Sequence, residues 1–298
     1  MRYLLLLVCF FSLQLAWAQK KIFSGRILNT CKVSSKTENI SPEEWKYALI
    51  ETDTFCTYYS KSGSKKISNK YCFIYPDTSK KGFEYYYGID TLFVVKNQAP
   101  KYIEFVVESM SEPILGYKCN TVVKKTPTSI HSTIVLDSAI YTNGNNVILQ
   151  ESFENDYYII EYKAYEVQET SISDTIFQLP SLIRKPFNSK SIFESEVYDE
   201  KMTFHNYIIS NLNAELGSQY VPLQPYKHTS VASVETSFLI APSGKITNIH
   251  ILNEDKVHPK LVEEVIRVLK NASFKKSVRL FGKPIPYIFT QKVGFART

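Results

Sequence analysis

PKLVEEVIRVLK (Pro259–Lys270), followed after a short turn-rich segment by IPYIFTQKVGF (Ile285–Phe295), is the stretch from which the fold is read. Leu261, Val262, Val265, Val268 and Leu269 recur at helical spacing. Pro259 suits the first helical position, where a missing N–H costs nothing, and Glu263 stands four residues before Arg267. In the second string Ile285, Tyr287, Phe289, Val293 and Phe295 share one side of an extended chain, with Gln291 the polar interruption. A helix with one apolar stripe and a strand with one apolar face bury both by packing together.

Upstream, Val234, Thr236, Phe238 and Ile240 alternate as a strand, Pro242-Ser243-Gly244 turns the chain, and Ile246 to Leu252 returns beside it. Between Glu200 and Leu216 the residues Met202, Phe204, Tyr207, Ile208, Leu212 and Leu216 read as an earlier helix, with Gly217 as its expected stop. Residues 199–298 therefore read as one α-β-β-α-β unit.

This unit resembles the TonB C-terminal domain family. The carriers are Phe204-x-x-Tyr207-Ile208-x-x-Asn211-Leu212, then Phe238-x-Ile240-x-x-Ser243-Gly244-Lys245-Ile246-x-Asn248, then His258-Pro259-x-Leu261, and finally Gly282-Lys283-Pro284-Ile285 leading into Val293-Gly294-Phe295. Two places depart from the family pattern: Ser230-Val231-Ala232-Ser233 at the entry to the first strand, and Phe274-Lys275-Lys276 after the second helix. The resemblance implies protein–protein contact by adding a short extended segment to an exposed sheet edge. It also implies an outer-membrane or other envelope protein as partner, with Lys275, Lys276, Arg279, Lys283, Tyr287 and Phe289 as the expected partner-binding residues. An energy transducer would further need a membrane anchor and a long Pro-rich spacer, so an exported adaptor is the expectation.

Ahead of this unit, composition favours strands: the chain is 44% hydrophobic and 14% aromatic, with 21 Tyr and 18 Phe. Ser41-Pro42-Glu43-Glu44 has the form of a helix-starting capping box. Strands are expected over Phe55–Tyr59, Tyr71–Tyr75, Phe83–Tyr87, Thr91–Val95, Tyr102–Glu108, Ile114–Val123, Ile130–Leu136, Val147–Gln150, Tyr157–Tyr165 and Thr170–Phe177. Turn signals lie at Gly63, Pro76-Asp77, Asn97–Pro100 and Asn143–Asn146. Such spacing predicts an antiparallel sheet curved on itself, a half-barrel or a sandwich. Ile114-Leu115-Gly116-Tyr117-Lys118-Cys119 and Thr175-Ile176-Phe177-Gln178-Leu179-Pro180 resemble segments of secreted GLPGLI-type β-rich proteins, although the Gly-Leu-Pro-Gly-Leu-Ile signature is absent. Tyr47, Tyr85-Tyr86-Tyr87 and Tyr157-Tyr158 either pack inward or line a groove for an apolar ligand; the second option makes the front domain a carrier.

The fold class is thus α+β: a leader over 1–18, a β-rich domain over 19–183, a linker over 184–198 around Arg184-Lys185-Pro186, and the TonB-like unit over 199–298. The leader combines Arg2, the apolar run Leu4–Leu13 and Ala16-Trp17-Ala18, which is the pattern of a cleaved export signal. The run is too short to span a bilayer, and no later segment is apolar enough. The expected setting is the periplasm or outer-membrane surface of a Gram-negative bacterium.

Charge divides the chain. Residues 199–298 hold 13 Lys plus Arg against 8 Asp plus Glu, while 19–198 balance. After Glu264 every charged residue is basic: Arg267, Lys270, Lys275, Lys276, Arg279, Lys283, Lys292 and Arg297. These make either a solvated face or a patch for an anionic envelope surface or acidic protein segment. Nucleic acid is excluded as a partner by export and by the lack of any nucleic-acid module. Cys31, Cys56, Cys72 and Cys119 are disulfide candidates by even count and export, and their spacing is not that of a zinc site. No nucleophile elbow, metal-ligand spacing or paired-carboxylate motif occurs, so neither catalytic residues, metal nor cofactor is expected. Exposed sheet edges leave a homodimer open.

Overall fold

The computed structural model describes residues 20–76, 81–89, 91–96, 104–126, 128–143, 146–186, 192–199, 201–222 and 230–297. The leader, the turn at Asn97–Pro100 and the strand start at Tyr102 lie outside them.

Two meanders form the front domain. The first runs β1 (Gly25–Ser35), β2 (Thr54–Ser60), β3 (Gly63–Ile67), β4 (Tyr71–Pro76), β5 (Lys81–Tyr86) and β6 (Thr91–Lys96). The second runs β7 (Glu104–Ile114), β8 (Tyr117–Thr126), β9 (Ser129–Leu136), β10 (Ile148–Asn155) and β11 (Tyr158–Glu169). β1 pairs antiparallel with both β2 and β11, fusing the meanders, and β12 (Ile183–Pro186) adds parallel to β6. The result is one large curved sheet of order β12-β6-β5-β4-β3-β2-β1-β11-β10-β9-β8-β7. Between β1 and β2 lies α1 (Pro42–Ala48), whose Ser41 and Glu44 form the expected capping box; it lays Trp45 against Tyr158, ring centroids 4.8 Å apart.

Two strands of the front meanders were not expected from the sequence, and each has a physical reason. β1 carries Asn29 on its inward face, where a polar residue breaks the alternation; the side chain is satisfied by donating Nδ2–H to Ile27 O. β3 is GSKKI, with a glycine and two lysines where a turn was expected at Gly63; its Lys66 stem is half-buried, and Nζ lies 4.1 Å from the Phe55 ring centroid and 4.4 Å from that of Tyr162. One expected strand, Thr170–Phe177, does not form. Ser173 accepts from the Thr175 N–H and starts a 3-10 turn over Asp174–Phe177, which lowers Phe177 onto Cys72 and Ile74 as a cover for the sheet.

The C-terminal unit is a three-stranded antiparallel sheet of order β15-β14-β18, where β14 is Ser230–Ile240, β15 is Ile246–Ile251 and β18 is Tyr287–Arg297. Three helices accompany it, α2 (Phe204–Asn211), α3 (Glu215–Tyr220) and α4 (Pro259–Lys270). Val234, Phe238, Ile240, Val293 and Phe295 meet Leu261, Val265, Val268 and Leu269 of α4, and Phe204 and Ile208 of α2, in a single core. Each large apolar side chain buried there contributes roughly 2 kcal/mol. The turn at Pro242-Ser243-Gly244 is as expected: Gly244 has φ 85°, and a Cβ would stand 2.0 Å from Phe274 O.

Gly217 is a correction. It lies inside α3 rather than ending a long helix, because the 204–220 segment breaks at Leu212, which is extended. A Cβ on Gly217 would sit 2.2 Å from Ala296 O, so glycine allows α3 to rest on the end of β18. The final strand also starts later than expected, at Tyr287: Ile285 donates its N–H to Val278 O and is buried with Ile50, Tyr86 and Phe93.

Of the segment read as a linker over 184–198, the described residues, 184–186 and 192–198, are largely built into the fold. β12 extends the front sheet, β13 (Phe193–Glu194) pairs with β16 (Arg279–Leu280), β16 pairs with β17 (Lys283–Pro284), and Val197 bridges Lys276. The two units share more than a tether. Leu239, Ala241 and Ile288, on the sheet face away from α4, enter a cluster with Cys31, Val33, Trp45, Tyr157 and Ile160 of the front domain. Tyr157 Oη and Ser237 Oγ are 2.7 Å apart across this seam, and the Tyr157 ring stands edge-on to His250 at 5.3 Å. From Thr236 onward β14 is therefore buried on both faces.

The disulfide expectation is not met: Cys31, Cys56, Cys72 and Cys119 are free thiols. Cys56 and Cys72 both flank Ile67, one on either side of β3, which separates them by two strand spacings, about 10 Å. Cys56 pairs with Leu28, three residues short of Cys31, again about 10 Å along the strand. A disulfide needs Cα atoms within about 7 Å.

Candidate functional site

The outer border of β18 is the candidate site. Glu235 of β14 turns both peptide groups toward β15: its carbonyl accepts from Leu252 N, and its N–H donates to Asn253 Oδ1. At the Glu235–Lys292 pair the peptide groups of Lys292 consequently face away from β14. One residue earlier the Gln291 carbonyl faces β14, where it accepts from Thr236 Oγ1 at 3.0 Å. Alternation then sends the N–H and C=O of Ile288, Thr290, Lys292 and Gly294 outward. No strand pairs with this border among the described residues, and Thr290, Lys292 and Gly294 are exposed. The next outward carbonyl, Ala296, is covered by Gly217 of α3, and Arg297 is fixed by donating to Val221 O. The open border is thus about seven residues long and closed at its C-terminal end.

The anticipated partner-binding residues separate into four settings. Lys275 and Lys276 are exposed, but their N–H groups donate to Tyr198 O and Val197 O, so their backbone fixes the segment that enters the C-terminal unit. Arg279 and Lys283 flank the β16–β17 hairpin; Arg279 donates to Gly282 O, and Lys283 Nζ lies 4.4 Å above the Tyr47 ring. Tyr287 is 40% exposed at the start of β18. Phe289 lies on the same face, its ring centroid 6.5 Å from that of Tyr287, but it is packed on Phe238 at 5.5 Å and near Phe204 at 5.9 Å, in the core of the C-terminal unit.

Several of the basic residues after Glu264 have intramolecular partners. Arg267 donates to both Glu264 oxygens and to Asn211 O, and Lys292 Nζ lies 2.9 Å from Glu235 Oε1. Glu264 also accepts from Asn213 N at 2.7 Å, and the Arg267 guanidinium beside it holds its carboxyl below the usual range. This carboxylate ties α4 to the loop between α2 and α3.

The tyrosines considered for a ligand groove are mostly packed. Tyr86, Tyr157 and Tyr158 are buried, and Tyr47 donates its hydroxyl to Leu280 O. Burial pushes the Cys31 thiol up to about 12, with the Glu51 carboxylate adding to the rise, so it stays protonated and poorly nucleophilic. His131 Nε2 and Glu151 Oε1 pair across β9 and β10 at 2.7 Å. Among the described residues no three His, Cys, Asp or Glu side chains are placed to hold a metal ion, and no helix is long and apolar enough to cross a membrane.

No curated protein matches the chain. Among solved structures it is similar to two of PNGF-II, in the C2 and P21 space groups, at 11% and 9% identity. These alignments cover 72% and 92% of this chain but only 42% and 65% of those chains, with TM-scores of 0.38 and 0.37. The chain spans less than two thirds of either, and superpositions this loose carry no argument. Residues 227–296, which contain β14, β15, α4 and β18, match the family described as the C-terminal domain of the Gram-negative bacterial TonB protein, so the C-terminal unit is a TonB C-terminal-like domain.

Proposed function

We propose that the protein is an exported, non-enzymatic interaction protein of the cell envelope, whose TonB-like unit takes an extended segment of an outer-membrane or other envelope protein as an added strand on β18. The observation that carries this reading is the run of outward peptide groups at Ile288, Thr290, Lys292 and Gly294 on a border without a strand partner among the described residues. The matched family is one of envelope protein–protein contact. Main-chain pairing supplies affinity, while side-chain pockets supply selectivity. The unit works here as a fixed platform: among the described residues β12 joins the front sheet, and Leu239, Ala241 and Ile288 pack on the front domain. That arrangement suits an adaptor better than a transducer that must reach across the periplasm.

The test compares Lys292→Pro with Lys292→Ala in the full chain. Proline removes an outward N–H while sparing the β14 ladder, whereas alanine keeps it. Capture of an envelope protein from membrane extract is expected with wild type and Lys292→Ala and lost with Lys292→Pro. Equal capture by all three would defeat the strand-addition reading.

A further inference from the structure

The β16–β17 hairpin turns on Phe281 and Gly282, both at positive φ, 49° and 78°. Such a two-residue turn ordinarily takes Asn-Gly or Gly-Gly, because a side chain with a bulky Cβ substituent is strained there. Strain retained at an exposed position points to use rather than to packing, and the Phe281 ring is 52% exposed. Its surroundings form a site. The hairpin leans over the front domain, with the Phe281 ring centroid 6.3 Å from that of Tyr86. Leu280 and Phe281 close a cleft of about 280 Å³ against Tyr47, Lys70, Tyr86 and Tyr87. Tyr87, which also lines the cleft, is 51% exposed. Two ammonium groups stand near Tyr47: Lys283 Nζ at 4.4 Å from the ring centroid and Lys70 Nζ at 5.9 Å, the latter fixed by donating to Glu51 O. Among the described residues no carboxylate lines the cleft.

We propose that this cleft is a second docking point, separate from the β18 border, for an acidic peptide segment carrying an aromatic side chain. The volume lies just below the range of about 300–1,000 Å³ typical of small-molecule sites and suits one large side chain. The aromatic anchor enters between Phe281 and Tyr87, and carboxylates on either side of it meet Lys283 and Lys70. An aromatic anchor in a desolvating pocket with charges at the rim has the form of an interface hot spot. The cleft lies at the seam of the two units, so it exists only in the intact chain.

The test titrates the isotope-labelled full chain with acetyl-Asp-Trp-Asp-amide, acetyl-Asp-Ala-Asp-amide, acetyl-Lys-Trp-Lys-amide and a glucuronate-containing disaccharide. Saturable shifts at Tyr47, Tyr87 and Phe281 are expected with the first, and at least tenfold weaker binding with the other three. Phe281→Asn suits the turn, so it should keep or raise the thermal midpoint while weakening the first peptide at least tenfold; Tyr87→Ser should weaken it without touching the hairpin. The proposal is overturned by no saturable shift, by preference for the basic peptide or the disaccharide, by variants that bind as wild type does, or by a lowered midpoint in Phe281→Asn. These outcomes are independent of Lys292→Pro, which leaves the cleft intact.

Discussion

The front sheet and the TonB-like unit solve the same problem differently. The front sheet fuses two meanders through β1 and β11 and covers separate parts of its faces with α1, with the 3-10 turn at Asp174–Phe177 and with the β16–β17 hairpin. The C-terminal sheet has only three strands but is covered on both sides, by α4 and α2 on one and by the front domain on the other. What the contrast teaches is where freedom remains. With β14 buried on both faces from Thr236 onward, what that part of the small sheet leaves unpaired is its edges, and the outer edge of β18 is the longer one.

If the two units are one cooperative body, the seam is where they break together. Leu239 is fully buried between them. Leu239→Ala should cost about 3 kcal/mol, and denaturation followed by signals from each unit should still give one transition at a lower midpoint. Separate transitions would mean that the front domain stands alone.

Two carboxylates sharpen the comparison through pH. Glu264 has a folded pKa below its ordinary 4.5, so its stabilisation is present above pH 4.5 and is lost as pH falls through the lowered value. Glu264→Gln should therefore cost about 2 kcal/mol at pH 7, with the difference from wild type vanishing in acid. Glu84 of the front sheet is opposite in sign: burial raises its pKa, and although Tyr86 Oη donates to it, its contribution is complete below 4.5 and lost as pH rises through the raised value. Glu84→Gln should stabilise the protein at neutral pH, and urea denaturation of both variants across pH 3–8 checks both signs. A smaller effect is expected at the seam, where Tyr157→Phe removes the hydroxyl bonded to Ser237 and should cost about 1 kcal/mol.

The C-terminal elements were legible because their signals are periodic and undisturbed. The stripe of α4, the Pro-Ser-Gly turn and the alternation of β18 each admit one reading. Gly217 was ambiguous because the same residue either ends a helix or permits a close approach, and only the position of Ala296 O decides. The double burial of β14 was written in Phe238-Leu239-Ile240-Ala241, a continuous apolar run, yet reading one face of a strand hides the other. β3 was hidden because its lysines look solvated until Phe55, Tyr71 and Tyr162 surround Lys66. Disulfides failed for a geometric reason: an even count of cysteines carries no information about register. Of the expected partner-binding residues, Phe289 shows the limit most clearly: its place on the apolar face of the last strand already put it under the helix, and the structure packs it in that core.

The most direct test of the account is residue-resolved amide hydrogen exchange along β18 in the free full-length chain. Slow exchange is predicted at Phe289, Gln291, Val293 and Phe295, whose N–H groups join the β14 ladder, alternating with fast exchange at Thr290, Lys292 and Gly294 on the open border. Uniform protection along the strand would show that the border is already occupied, and would contradict a site waiting for a foreign backbone.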